Sequence, residues 1–283
     1  MNVQDKNCIE ESKTRGSIGS ADESETRGSI GSAEESKTRG SIGSNLDVLR
    51  RRIETAAAKS ARRASDIAVI AVSKTKPLDM ILEARQAGIN KFGENKAQEL
   101  LAKIDQLEQR RPEFNAKDIE WHFIGHLQTN KVKQIIGKVK LIHSLDSFEL
   151  AEAIQKHAAK MNTIVETLVQ VNVSKEKSKY GFPDENIVNV IRNLSYLPNI
   201  RIRGLMTIAP YVYNPEENRA IFSKLNKIYV DIISNKIDNV CMDVLSAGMS
   251  NDFEVAIEEG SNLIWIGTAV FGERVYTKDD GNI

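Results

Sequence analysis

The chain has 283 residues, of which 41% are hydrophobic and 28% charged, and its 39 basic residues balance its 39 acidic ones. A chain of this length can bury a substantial core, and zero net charge gives no general attraction to nucleic acid or to anionic membranes. The amino terminus lacks the apolar stretch of a secretory signal, and no apolar run reaches the roughly 18 residues of a membrane helix. We therefore expect a cytoplasmic protein with neither nucleic-acid nor membrane partners.

Residues 1–44 differ in composition from the rest of the chain. Tandem copies of a twelve-residue repeat begin at Glu11, Glu23 and Glu35, and each copy holds a single isoleucine among serine, glycine and charged residues. So little apolar surface does not offset the entropy lost on ordering. We interpret residues 1–44 as a disordered tail and residues 45–283 as one domain.

The domain is predicted to begin with a helix, because Leu46, Leu49, Ile53 and Ala57 recur on one helical face. After it, helical patterns alternate with eight short apolar, β-rich runs, at 67–72, 89–93, 119–125, 139–145, 165–173, 200–208, 241–246 and 263–267. Alternation of this kind predicts a parallel sheet, and eight units in about 220 residues predict a single α/β domain of the TIM-type (β/α)₈ barrel class. The rival, an open doubly wound sheet, would carry a G-x-G-x-x-G turn where this chain reads SKTKP.

Polar residues that follow the predicted strands belong at the carboxyl-terminal face of a barrel, where such folds place their sites. Lys74 and Lys76 follow the first strand, and the loops SAGMSND and GTAVFG follow the seventh and eighth. Backbone amides and the hydroxyls of Ser250 and Thr268 suit a phosphate, and we expect Ser250 or Asn251 to cap the next helix. Ordinary loop chemistry explains either loop alone, whereas two such loops opposite a lysine favour a phosphate site.

A lysine opposite a phosphate site predicts a ligand that carries both an aldehyde and a phosphate. Pyridoxal 5′-phosphate (PLP) carries both, and it binds lysine as a Schiff base. In an extended segment Lys74 and Lys76 would point the same way and depress each other's pKa, which makes one a better nucleophile. Two solvated loop lysines are the alternative, and the spacing leaves it open. We expect no metal site, because His122 and His126 straddle a strand end and lack the glutamate of H-E-x-x-H.

Six motifs carry a family resemblance: AVSKTKP, FGEN, EWHFIGHLQTNK, GLMTI, LSAGMSNDFEVAI and IGTAVFG. In this order they resemble the pyridoxal phosphate homeostasis protein family, a PLP-binding barrel related to the amino-terminal domain of alanine racemases. The resemblance runs from Leu46 to Tyr276 and implies that Lys74 forms the Schiff base. It also implies a set of cofactor-binding residues: Asn95, Ser246, Gly248, Met249, Ser250, Gly267 and Thr268. One position departs, because the family commonly has an arginine facing the pyridine nitrogen where this chain has Trp265.

The resemblance implies a PLP carrier or regulator in intracellular vitamin B6 homeostasis rather than an enzyme. The expected partners are PLP and, as recipients, PLP-dependent apoenzymes, and the expected state is a monomer. An amino-acid racemase is the alternative, although racemases of this fold need a second domain for which we expect no room after the eighth strand. The third hypothesis is a scaffold that binds no cofactor. Absorbance of the Schiff base would exclude the scaffold, and a racemisation assay would separate carrier from racemase.

Overall fold

The computed structural model describes residues 41–110, 119–176 and 178–273. Eight parallel strands form the barrel: β1 (Ala68–Val72), β2 (Lys91–Glu94), β3 (Glu120–Phe123), β4 (Leu141–Leu145), β5 (Val165–Asn172), β7 (Ile200–Met206), β8 (Val240–Met249) and β9 (Leu263–Ile266). The two-residue strand β6 (Phe182–Pro183) pairs with β5. The sheet closes because β1 pairs with both β2 and β9, and β4 pairs with β5. The predicted (β/α)₈ barrel is confirmed, and each of the eight predicted runs supplies one strand.

Helices surround the barrel in the connections between strands. They are α1 (Ile42–Lys59), α2 (Leu78–Gln86), α3 (Ala97–Arg110), α4 (Val132–Ile135), α5 (Phe148–Lys160), α6 (Ile187–Leu194), α7 (Arg219–Ser234), α8 (Phe253–Glu258) and α9 (Thr268–Phe271). None of the helices in the described residues is both long and apolar enough to cross a bilayer.

Helix α1 begins at Ile42, inside the segment predicted to be a tail. The Ser41 hydroxyl accepts a hydrogen bond from the Ser44 amide at 3.2 Å, which caps the helix, and Ile42 is buried. The predicted apolar face of α1 is also buried, where it packs against α2, α8 and α9. The last turn of the third repeat is therefore helical, because the barrel offers the apolar contact that the repeat itself lacks. Residues 1–40 lie outside the described residues.

Two apolar clusters fill the domain, one on each side of the strands. Along β1, Ala71 belongs to the larger cluster shared with the helices, and Ile70 belongs to a small cluster inside the barrel. The small cluster consists of Ile70, Ile124, Leu141, Leu168, Met206, Leu263 and Trp265. Ion pairs cross between neighbouring strands near their amino-terminal ends, such as Lys91–Glu120 at 2.7 Å. The carboxyl ends of all eight strands share the opposite face, where the predicted site residues follow.

Candidate functional site

Lys74 lies in a tight turn directly after β1. The amide of Lys76 donates to the carbonyl oxygen of Ser73 at 2.9 Å, and Thr75 has a φ of 64°. The prediction that this segment is extended is wrong, because the turn bends the backbone between β1 and α2. The Lys76 ammonium lies 5.9 Å from the centre of the Phe271 ring in α9.

A buried network holds the residue that precedes Lys74. The Lys103 ammonium donates to the Ser73 carbonyl at 2.7 Å, to Glu94 Oε1 at 2.6 Å and to Glu99 Oε1 at 2.7 Å. The Ser73 hydroxyl also donates to Glu94 Oε1, at 2.6 Å. Burial raises the pKa of the Glu94 carboxyl, against the opposing effect of the Lys103 ammonium. The base of the Lys74 turn is thereby fixed to both β2 and α3.

The sequence analysis missed Lys103, although the chain carries a signal for it. Lys103 falls among Leu100, Ile104 and Leu107 on the buried face of α3 and is itself 6% exposed. A lysine on an apolar helical face must find a partner, because an unpaired buried charge is costly. Glu99, four residues earlier on α3, is a local partner of Lys103. The other two, Ser73 and Glu94, follow β1 and end β2, and no local pattern predicts them.

The loops after β8 and β9 are joined to each other. The Gly267 amide donates to the Ser250 hydroxyl at 3.2 Å. Strand β8 extends beyond the predicted run 241–246, through Gly248 and Met249, which were expected in the following loop. Thr268 begins α9 and is exposed. The structure therefore brings Ser250, Gly267 and Thr268 together at the mouth of the barrel.

The predicted cap of α8 is wrong. Asp252 precedes the helix without a side-chain capping bond, and its Oδ1 accepts from the Met249 amide at 2.7 Å. The Asn251 amide group donates to the Val212 carbonyl at 2.8 Å, and Ser250 bonds to Gly267 instead. These polar side chains stabilise the loops around the mouth rather than the helix.

Two glycines let these segments approach their neighbours closely. Gly248 has a φ of 98°, and a Cβ there would lie 2.7 Å from the Cβ of Ala256 in α8. A Cβ on Gly125 would lie 2.3 Å from the carbonyl oxygen of Asn95. Any side chain at either position would push β8 away from α8 or the end of β3 away from that of β2. Asn95 follows β2, and its Oδ1 is buried without a hydrogen-bond partner.

Polar groups also lie inside the barrel, beneath the mouth. The Ser246 hydroxyl is 3.3 Å from His143 Nδ1, and His143 Nε2 is 3.0 Å from His122 Nδ1. Burial lowers the pKa of His122 to about 3 and that of His143 well below its usual value, so both rings are neutral. Trp265 meets the His143 ring edge-on at 5.5 Å, and its buried indole nitrogen has no hydrogen-bond partner.

His122 and His126 lie in different parts of the structure, although they are only four residues apart in the chain. His122 is buried inside the barrel, whereas His126 is at the surface, bonded to Asp146 at 2.7 Å and stacked on Tyr180 at 3.8 Å. The described part of the chain contains no group of three or more His, Cys, Asp or Glu side chains able to hold a metal ion.

Comparisons with known families and known proteins give consistent matches. Residues 44–275 match the profile of the alanine racemase N-terminal domain. The pyridoxal phosphate homeostasis protein of Aquifex aeolicus is 44% identical over 225 residues, covering 80% of this chain and 95% of that protein. The protein of the same name from Escherichia coli K12 is 36% identical over 235 residues, covering 83% of this chain and 97% of its own length.

Solved structures agree with the sequence matches. PipY of Synechococcus elongatus, in a structure with PLP bound, is 31% identical and superposes with a TM-score of 0.69, covering 82% of this chain and all of PipY. Alanine racemase of Corynebacterium glutamicum superposes with a TM-score of 0.56 at 12% identity, covering 82% of this chain and 63% of the racemase. At that identity the racemase supports the shared barrel alone.

Proposed function

Since the chain belongs to the pyridoxal phosphate homeostasis protein family, we propose that it binds PLP and acts in intracellular PLP homeostasis as a carrier or regulator. One observation carries the proposal: the turn with Lys74 and the paired loops with Ser250 and Gly267 follow neighbouring strands. Trp265 of β9 is in register with Ile70 of β1 on one side and with Met249 of β8 on the other. This adjacency of β1, β9 and β8 supports a site at the mouth with an amine beside a phosphate.

The residues at the mouth fit PLP. PLP supplies an electrophilic aldehyde and a dianionic phosphate. A Cβ on Gly267 would lie 3.7 Å from the Cβ of Val72, an ordinary contact, so packing does not explain the glycine, whereas access for a phosphate does. The hydroxyls of Ser250 and Thr268 can donate to the phosphate. The buried Asn95 Oδ1 and Trp265 indole nitrogen, both without partners, supply an acceptor and a donor for a polar ring.

Three further residues predicted to bind the cofactor, Ser246, Gly248 and Met249, have supporting roles in the proposed site. Gly248 and Met249 shape the end of β8 that carries Ser250, and the Met249 amide is already bonded to Asp252. Ser246 is fully buried beside His143. We assign Ser246, Gly248 and Met249 to shaping and supporting the phosphate site.

We assign the covalent attachment to Lys74. The Lys74 amine would hold PLP as a Schiff base, by condensing with its aldehyde with loss of water. Two contacts favour Lys74 over Lys76. The network of Lys103 fixes the Ser73 carbonyl directly before Lys74, and Lys76 is directed toward Phe271.

The residues at the mouth of the barrel favour a carrier over a racemase. Trp265 is neutral and can only donate through its indole N–H, so it adds no positive charge beside the ring. A racemase would remove a proton from an amino acid and needs the resulting negative charge to be stabilised. Delivery to PLP-dependent apoenzymes, a monomeric state and a cytoplasmic location stay predictions.

Peptide mapping after borohydride reduction tests the assignment. The wild-type protein should carry a pyridoxyl group on Lys74, Lys74→Ala should lose the Schiff-base absorbance, and the matched control Lys76→Ala should keep it. A pyridoxyl group on Lys76 of the wild-type protein, with Lys74 unmodified, would overturn the assignment. We expect no racemisation of alanine by the loaded protein, and turnover that depends on Lys74 would establish the racemase instead.

A further inference from the structure

A separate cavity opens at the amino-terminal end of the barrel, opposite the proposed PLP site. It has a volume of about 230 Å³ and lies where β4, β5 and β7 begin. Lys140, Glu166 and Arg201 form its charged wall, and Ile136 and Ile164 are among its apolar lining residues. This volume suits an ion or a short organic acid rather than a cofactor, since cofactor pockets run from about 300 to 1,000 Å³.

Arg201 is left without a counter-ion in this wall. Its neighbour in register on β5 is Glu166, but Glu166 Oε1 binds Arg203 at 2.7 Å, and its Oε2 lies 3.8 Å from the Lys140 ammonium. Within the described residues Arg201 makes no ion pair and no hydrogen bond, although its side chain is half-buried. A guanidinium that has lost part of its hydration and gained no partner is unfavourable, and an anion in the cavity would relieve it.

The charges around the cavity favour an anion over a cation. Arg203 also donates to Asp243 Oδ1 at 2.9 Å, so Arg203 and its two carboxylate partners form a compact network behind the wall. Lys140 is 51% exposed and only loosely paired with Glu166, which leaves its ammonium able to turn toward a ligand. Three cations, Arg201, Lys140 and Arg203, therefore face two carboxylates, and the net charge of the group is positive.

We propose that this cavity is a binding site for a small oxyanion, a phosphate or carboxylate group, held by the Arg201 guanidinium with Lys140 as the second cation. The planar fork of arginine offers two parallel N–H donors, which match the paired oxygens of either group. Ile164 is 49% exposed at the rim, where the short apolar part of an organic acid would rest. The site is independent of PLP, because it draws on the opposite ends of the strands.

Calorimetric titration with inorganic phosphate tests the site. The full-length protein is first loaded with PLP and reduced with borohydride, so that the carboxyl-terminal face is filled, and ionic strength is held constant with chloride. We expect one phosphate per chain, at least tenfold weaker binding to Arg201→Gln, and unchanged binding to the matched control Arg192→Gln on the exposed face of α6. A parallel titration with acetate separates the ligand classes: binding of both anions supports a carboxylate-accepting site, and binding of phosphate alone supports a phosphate site.

Equal phosphate binding by wild-type protein and Arg201→Gln, or no binding to the wild-type protein at millimolar phosphate, would overturn the proposal. If Arg201→Gln fails to fold, Arg201→Lys keeps the test, because it retains the charge and loses the fork and should still bind several-fold more weakly. Titration of protein without PLP should reveal a second phosphate that does not depend on Arg201. Absence of that second phosphate would count against the PLP site alone, so the two proposals can fail separately.

Discussion

The Ser250 hydroxyl has two roles in the proposed site, as a hydrogen-bond acceptor and as a donor. In the structure it accepts a hydrogen bond from the Gly267 amide, which draws the loops after β8 and β9 together. With phosphate present it would donate its own proton, and the Gly267 amide would be close enough to serve the same anion. Ser250 therefore holds the two loops of the proposed phosphate site together in the absence of ligand.

Replacing Ser250 and Thr268 by alanine should weaken PLP binding. Two hydroxyl donors to a dianion are lost, each worth roughly 1.5–3 kcal/mol, so the dissociation constant should rise by at least about a hundredfold. Absorbance titration with PLP measures it. The control pair Thr55→Ala and Ser234→Ala removes exposed hydroxyls on α1 and α7 and should leave binding unchanged. An unaltered dissociation constant in the double variant would argue that the phosphate lies elsewhere.

Helix α1 connects the start of the domain to the proposed phosphate site. The Asn45 side chain donates to the Val270 carbonyl of α9 at 3.0 Å, and the Ile42 amide donates to Glu83 Oε1 of α2 at 3.3 Å. Since Thr268 begins α9, the first turn of α1 supports an element of the proposed cofactor site. The true boundary of the domain therefore matters for function as well as for stability.

Two deletions separate the tail from that first turn. Removing residues 1–40 should leave thermal stability and PLP retention unchanged, because the repeats carry little apolar surface. Removing residues 1–45 also deletes the Ser41 cap, the buried Ile42 and the Asn45 bond, and should cost about 2–4 kcal/mol of unfolding free energy. Urea unfolding and PLP titration measure both effects. Equal behaviour of the two proteins would show that the first turn of α1 contributes nothing.

Sequence patterns predicted the elements well and the details of the mouth less well. Strands and helices follow from periodicity, which is a local property, and the eight runs and the buried face of α1 were correct for that reason. The turn at Thr75 was missed because its positive φ occurs at a residue that rarely adopts it. The bond from Lys103 to Ser73 joins two elements, so no window of sequence contains it. Lys74 was named through the resemblance, since geometry alone left it equivalent to Lys76.

For the molecule as a whole, the two buried histidines make the free energy of unfolding decrease at acidic pH. An unfolded histidine titrates near pH 6.5, whereas His122 folded has a pKa of about 3 and His143 one well below its usual value. Below pH 6.5 the unfolded chain takes up protons that the folded chain refuses. The stabilisation is therefore complete above pH 6.5 and is lost as the pH falls, by about 1.4 kcal/mol per pH unit for each histidine.

Urea unfolding between pH 7.5 and 5 checks this slope. The pH dependence of the unfolding free energy should be about half as steep in His122→Gln. It should be unchanged in the control His157→Gln on α5. The raised pKa of Glu94 acts in the opposite direction, because the folded chain then holds a proton that the unfolded chain releases. The histidine contribution is consequently read from the difference between the wild type and His122→Gln. Parallel slopes for these two proteins would contradict it.

Closure of the barrel also fixes when during synthesis the proposed site can exist. Lys74 follows the first strand, whereas Ser250 and Thr268 come after the last two, and β1 meets β9 only once the whole sheet has formed. A ribosome exposes the amine long before it has made the phosphate loops, so a growing chain has nothing with which to hold PLP at both ends. We therefore expect PLP to bind only after synthesis is complete. The absorbance of the Schiff base would then measure the number of chains whose barrel has closed.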